Sequence, residues 1–300
     1  MGERTGHIGQ IKIYLGKLFR IFFYEKDWKV LIFAAVISLI LSSVIGGNMF
    51  LIKEDTRVGS FAMVSACIWI GIFNSIQSIC KERPIIKREH RTGLHITSYV
   101  ASHMIYQAVI CLLQTIVMFV IYYLFLDFPQ KGIVTGSFHV DLFITFFLMI
   151  YASDALGLAV SSIVHTPTTA MTIMPFLLIV QLIFSGAIFM LEGPADKLSS
   201  ITISKWGMRA VCTEADINSM PSNMITNELN MFRNIDGVDE ILALVPDEMI
   251  QEYSSQITYE SIYEYKKENV LKEWGIFIFF IALYYVISVG SLELIDRDKR

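Results

Sequence analysis

Few side chains in this sequence are placed to do chemistry, and most of those lie inside long apolar runs. Asp154 is followed by Gly157 in one run, Asn74 and Gln77 stand one helical turn apart in another, and Gln181 lies in a third. A polar group in hydrocarbon costs free energy unless it meets protein or water. Each of these groups therefore either bonds a neighbouring helix or lines a polar path. A lone carboxylate at 154 moves protons only with a partner at matching depth, and His165 lies too near the end of its run. The sequence has no GxxxxGK[ST] phosphate loop, no GxGxxG after a strand, no GxSxG elbow and no HExxH helix, which excludes an ATPase active site in these residues and the commoner hydrolase sites. The six His (7, 90, 95, 103, 139, 165) read as polar residues of membrane boundaries. The four Cys form no CxxC pair, against a zinc site or a disulfide framework.

The elements that must hold these residues are membrane helices. The 300 residues are 54% apolar and only 17% charged, with a mean hydropathy of +0.54, whereas soluble domains carry about 25% charge. A formal charge of -4 and a pI near 5.9 argue against a nucleic-acid partner. Six runs reach the roughly 20 apolar residues of a transmembrane helix: Val30–Ile52, Val58–Cys80, Tyr99–Leu126, Val140–Val164, Met171–Leu191 and Trp274–Leu294. The alternating 10-residue strands of a barrel are not seen.

The fold class expected is therefore an all-α integral membrane protein of six transmembrane helices. Residues 1–29 form a cytoplasmic amphipathic connecting helix, with Ile8, Ile11, Leu15, Leu18, Phe19 and Phe22 on one face, lying in the interface rather than serving as a cleaved signal. Residues 30–191 hold spans one to five, 192–273 form a small external cap, and 274–300 hold span six and a short cytoplasmic tail. Fourteen Lys and Arg flank the spans on one side, against three in the short loops of the other. Both termini are thus expected in the cytoplasm of a plasma-membrane protein. The segment from Glu192 to Glu273 carries 15 acidic and 7 basic residues, begins as loop at Gly193-Pro194, turns apolar around Ile201–Val211, and reads as polar helix over 238–272.

The sharpest pattern joins spans two and three: Lys81-Glu82-Arg83-Pro84-Ile85-Ile86-Lys87-Arg88-Glu89-His90-Arg91-Thr92-Gly93. Acids and bases alternate on a helix-like stretch that Gly93 stops. This stretch resembles the first coupling helix of the G-type ATP-binding-cassette (ABC) exporters, the type-2 exporter permease family, with its pattern E-R-x-x-F-x-R-E-x-x-x-G-x-Y. Glu82, Arg83, Arg88, Glu89, Gly93 and a displaced Tyr99 match it in type. Independently, Phe184-Ser185-Gly186 resembles the FSG that closes the family's fifth span. Ile203 to Ala210, with Trp206 and Gly207, is similar to its S-x-x-R-Y-G-F-E-A-L, and Glu214 falls near the acidic residue that follows. The proline usual in the third span is absent around His103–Gln107.

The resemblance implies the membrane subunit of an ATP-driven exporter, working as a dimer with a second copy or a homologous half, within membrane lipid. ATP-binding subunits would dock on the amphipathic lead-in and on 81–93. ATP and magnesium would be bound by that partner, leaving this chain without a cofactor or catalytic residue of its own. By the same resemblance Ile70, Phe73, Asn74, Gln181 and Phe184 line the cargo cavity, and Ala187 with Ile188 forms a plug towards the exterior. A second reading, from another class, is an intramembrane enzyme or receptor using Asp154 and the acidic external segment. Cys212, alone outside the spans, is either a free thiol or an intersubunit disulfide partner.

Overall fold

The computed structural model describes residues 6–25, 27–46, 49–189, 193–221 and 258–294. In chain order the helices are α1 (His7–Tyr24), α2 (Lys29–Ile45), α3 (Lys53–Ser75), α4 (Arg83–Arg91) and α5 (Ile96–Phe125), then α6 (Phe138–Ile163), α7 (Pro167–Ile183), α8 (Pro194–Ser199), α9 (Ile203–Glu214) and α10 (Lys267–Glu293). Each of the six apolar runs is thus largely helical, and the chain is a multi-pass membrane protein whose regular elements, among the described residues, are all helices. Four helices, α3, α5, α6 and α10, are long and apolar enough to cross a membrane; α1 and α2 make a fifth if read as one span bent by 65°, and α7 is a shorter apolar helix.

Two of the expected spans are therefore shorter than the apolar composition suggests. The first run ends at Ile45 instead of Ile52, because Gly46 turns the backbone to a φ of 76°. The fifth ends at Ile183 instead of Leu191, and the chain leaves it through Gly186, also at 76°. Both glycines adopt a left-handed backbone that costs other residues about 1–2 kcal/mol. At 17 residues, α2 and α7 are each about 26 Å long at 1.5 Å per residue.

The core is the pairing of α3 with α6, the largest helix contact, followed by that of α6 with α10. Small residues permit it. A Cβ on Gly71 would meet the carbonyl of Ile150 at 2.4 Å, and one on Gly157 would meet Ser75 Oγ at 2.4 Å. The two backbones touch, as membrane helices do where small residues face each other. Ala34, Ser38 and Ser42 likewise give α2 a stripe of small buried residues, and α2 makes its main contact with α5.

Two segments depart from expectation. The start of the acidic region is not simply a water-exposed cap: α9 packs among α3, α6 and α10, with nine of its residues buried. Gly207 makes this fit, since its missing side chain leaves room for Met149 and Val64. In α1 the apolar residues do not share one buried face. Leu18 and Phe22 are buried, with Phe19 and Phe22 edge-on to Tyr106, while Ile8 is 73% exposed. A polar face of the same helix takes the inner position, as described below. The expected polar helix over 238–272 lies, up to residue 257, outside the described residues.

The α3–α6 contact yields a stability test. Replacing Gly71 with Val overpacks that crossing and should cost about 1–3 kcal/mol. Gly275→Ala, where a Cβ meets nothing within 4 Å, should be neutral or slightly stabilising. Thermal melting of the two variants in the same detergent checks the difference.

Candidate functional site: the charged helix and its anchors

Glu82 precedes α4, Pro84 lies in its first turn, and the helix stops in a Schellman arrangement at Gly93. The Leu94 N–H donates to the carbonyl of Glu89 (3.0 Å) and the Gly93 N–H to that of His90 (3.1 Å), with Gly93 at a φ of 111°. One face of α4 is tied to the rest of the protein. The Arg83 guanidinium donates to the carbonyls of Ser162 (2.6 Å) and Val164 (3.2 Å), groups that the end of α6 leaves without helical partners. Ser161 Oγ accepts from the N–H groups of Ile79 and Cys80, so the turn between α3 and α4 is clamped to the same end. Ser291 of α10 donates to the Ser162 carbonyl as well (3.0 Å).

The remaining ties come from α1. Lys17 pairs with the Glu82 carboxylate at 2.7 Å, and Tyr99 donates to its other oxygen at 3.0 Å. Tyr14 donates to Glu89 at 2.5 Å and meets the Tyr99 ring edge-on. Burial, and then the acceptor Glu89, push the Tyr14 phenol above its ordinary pKa, so it stays a donor at any physiological pH. The Gln10 amide donates to the Gly93 carbonyl (3.1 Å) and accepts from the His95 N–H (2.9 Å). His7 stacks on His95 with ring centroids 3.9 Å apart. Residues 7, 10, 14 and 17 recur at intervals of three and four, the spacing of one helix face. That signal was present in the sequence, overshadowed by the apolar residues interleaved with it.

The five residues assigned to coupling thus divide. Glu82, Arg83 and Glu89 hold α4 to α1, α5 and α6, and Gly93 ends it. Arg88 points outward, exposed, in a row with Ile85 and Arg91. The Lys81 and Arg88 side chains make no hydrogen bond or ion pair to a described residue. The row is basic with one apolar member, the kind of surface a protein partner covers.

The residues expected to line a cargo cavity do not meet in one pocket of the single chain. Ile70, Phe73 and Asn74 line a 190 Å³ cavity with Phe33 and Gln114. Asn74 and Gln114 exchange amide hydrogen bonds of 2.6 and 3.0 Å, while Phe73 stacks on Phe33 and stays 41% exposed. Gln181 is buried and accepts from the Ser204 N–H (3.1 Å), joining α7 to α9. The Phe184 carbonyl accepts from Thr202 (3.4 Å); Ala187 is half-buried and Ile188 exposed. The open stripe of α3 also carries Trp69, which the sequence reading did not single out.

Asp154 is fully buried at the α3–α6 contact, and neither carboxylate oxygen has a hydrogen-bond partner. Among the described residues no group is bonded to it as a catalytic companion, and no cluster of three or more metal-ligating side chains occurs. Cys212 is a buried free thiol. His103, expected at a boundary, is also buried, with both ring nitrogens unpartnered. At the other end of the bundle Thr145 donates to the buried Glu214 and accepts from Trp274 Nε1 (2.7 Å), and Arg209 lies 3.4 Å from the buried Glu273.

The anchoring of α1 is testable. Gln10→Ala removes two hydrogen bonds and Tyr14→Phe one to a charged acceptor, an interaction worth about 1.5–3 kcal/mol. Amide hydrogen exchange across residues 8–20 should accelerate in both, with α6 unchanged.

Comparison with known proteins gives two matches. Residues 10–211 match the family described as ABC-2 type transporter. An ABC transporter ATP-binding/permease protein of Mycobacterium tuberculosis is 28% identical over 162 residues, 53% of this chain and 19% of the relative. The chain thus spans about a fifth of that relative's length.

Proposed function

The chain belongs to the ABC-2 type transporter family, and from that membership we propose that it is the membrane-spanning subunit of an ATP-driven exporter. The observation that carries this reading is the two-sided α4. Its inner face is bound to α1, α5 and α6, and its outer row of Ile85, Arg88 and Arg91 is exposed. A helix built this way passes a push on its outer face to the bundle as a unit. The pusher is an ATP-binding subunit that holds ATP and magnesium. The mycobacterial relative, named as an ATP-binding/permease protein, supports such a pairing.

The functional unit is a dimer of two such halves in the plasma membrane, each with six spans once α2 and α7 are counted. Both termini and α4 face the cytoplasm, and α8 and α9 face the exterior. Cargo moves between the halves along the exposed stripe of α3, which carries Phe73 and Trp69, and past the end of α7 at Phe184, with Ala187 and Ile188 closing the outer side. Exposed aromatic and aliphatic side chains there, among them Phe176 and Ile179 on α7, suit apolar cargo. Ile70, Asn74 and Gln181 act from behind that surface, through the packing and hydrogen bonds already described.

Two experiments test this reading. Arg88→Glu should leave thermal stability near wild type, yet sharply reduce the ATP hydrolysis that the chain stimulates in a co-expressed nucleotide-binding partner. Glu89→Ala should instead loosen α1. Equal stimulation by wild type and Arg88→Glu would sink the docking role of α4. For topology, a cysteine at Lys197 should react with an impermeant thiol reagent in intact cells and one at Lys87 should not. The reverse order would overturn the orientation.

A further inference from the structure

A second, larger cavity, of 430 Å³, opens between α1, the start of α2, the end of α3 and α5. Four ionisable side chains on its wall are uncommitted. Those of Glu25, Asp27 and Lys81 make no hydrogen bond or ion pair to any described residue, and His103 is buried with both ring nitrogens unpartnered. Its fifth, Glu82, is already held by Lys17 and Tyr99. Buried polar groups are normally satisfied, so an imidazole left open to a cavity points to something that enters it.

The smaller 190 Å³ cavity shares Val30, Phe73 and Asn74 with this one and so adjoins it. Val30, Phe33, Ile70 and Phe73 make its wall mostly apolar, and Lys29, Asn74 and Gln114 complete it. Polar and apolar compartments in series fit one amphiphile, head in the larger and chain in the smaller. The charges select the head. An anion alone would face the carboxylates of Glu25 and Asp27 besides the paired Glu82, and a cation alone would face Lys81 and Lys29; a head bearing both signs meets each with its opposite.

We propose that the joined cavities bind a zwitterionic phospholipid, with its ammonium at Glu25 and Asp27, its phosphate at Lys81 and His103, and an acyl chain along Phe33, Ile70 and Phe73. The site lies within one chain and touches the proposed cargo path only at Phe73, which lines both cavities. Because Glu82 and Lys81 adjoin α4, the bound head wedges between α1 and the start of that helix.

The test uses the full chain reconstituted in nanodiscs. The probes are phosphatidylethanolamine carrying a diazirine in its acyl chain, the N-acetylated form of that lipid, and phosphatidylglycerol and hexadecylamine with equivalent diazirines. Cross-linked peptides are read by mass spectrometry. Phosphatidylethanolamine should label residues 27–33 and 70–74 far more than the other three. Glu25→Gln with Asp27→Asn should cut that labelling at least tenfold, since both charge-assisted contacts to the ammonium are lost. Val30→Trp, which fills the junction of the cavities, should cut it as well. Labelling at Phe279, an exposed residue of α10, should persist in every variant and shows that the protein is folded and inserted. Equal labelling of 70–74 by phosphatidylglycerol or by the N-acetylated lipid would overturn the proposal in favour of ordinary annular contact. Equal labelling by hexadecylamine that survives Lys81→Gln would overturn it in favour of a simple cation site.

Discussion

Backbone contact between α3 and α6 is the constraint from which the rest of the structure follows. Gly71 and Gly157 let the two helices approach until no further side-chain atom fits. In a bilayer, where apolar surface gains little by leaving lipid, this packing supplies the association that water would otherwise drive. Once α3 lies on α6, the turn after α3 falls on the last carbonyls of α6. Arg83 and Ser161 fasten it there. The start of α4 is thereby fixed, and α1 and α5 bind to α4 in turn.

Much of this is legible in sequence, since a long apolar run has few options in hydrocarbon other than helix. The end of α4 is equally readable: Gly93 is where a Schellman turn needs a residue without a Cβ. Less legible is α9. Its apolar turn around Ile201–Val211 shows in sequence, but Lys205, Arg209 and Glu214 within 12 residues hide how deeply it packs, and its burial rests on partners far away in the chain. Thr145 donates to one oxygen of Glu214, Glu273 faces Arg209, and Gly207 admits Met149. None of these pairings has a local signature.

The charged stretch 81–93 shows the same limit in a smaller space. Its alternating signs announce a purpose, but not which charge faces inward. That division depends on where α1 lies, and α1 presents two candidate faces. The apolar residues are the stronger pattern, yet the polar set at 7, 10, 14 and 17 makes the directional bonds to Glu82, Glu89 and Gly93. Hydrogen bonds to charged or orphaned groups fix an angle of rotation that apolar contact leaves free.

One feature of α7 has a mechanical meaning. The helix touches α3, α6 and α9 only sparsely, and its firm side-chain ties, Gln181 to Ser204 and the Phe184 carbonyl to Thr202, lie at one end. Its opposite end is capped by its own Thr166, and Pro175 interrupts the hydrogen-bond ladder between. Pro175 therefore leaves α7 a weak point midway, beside a frame whose closest backbone approaches are those at Gly71 and Gly157.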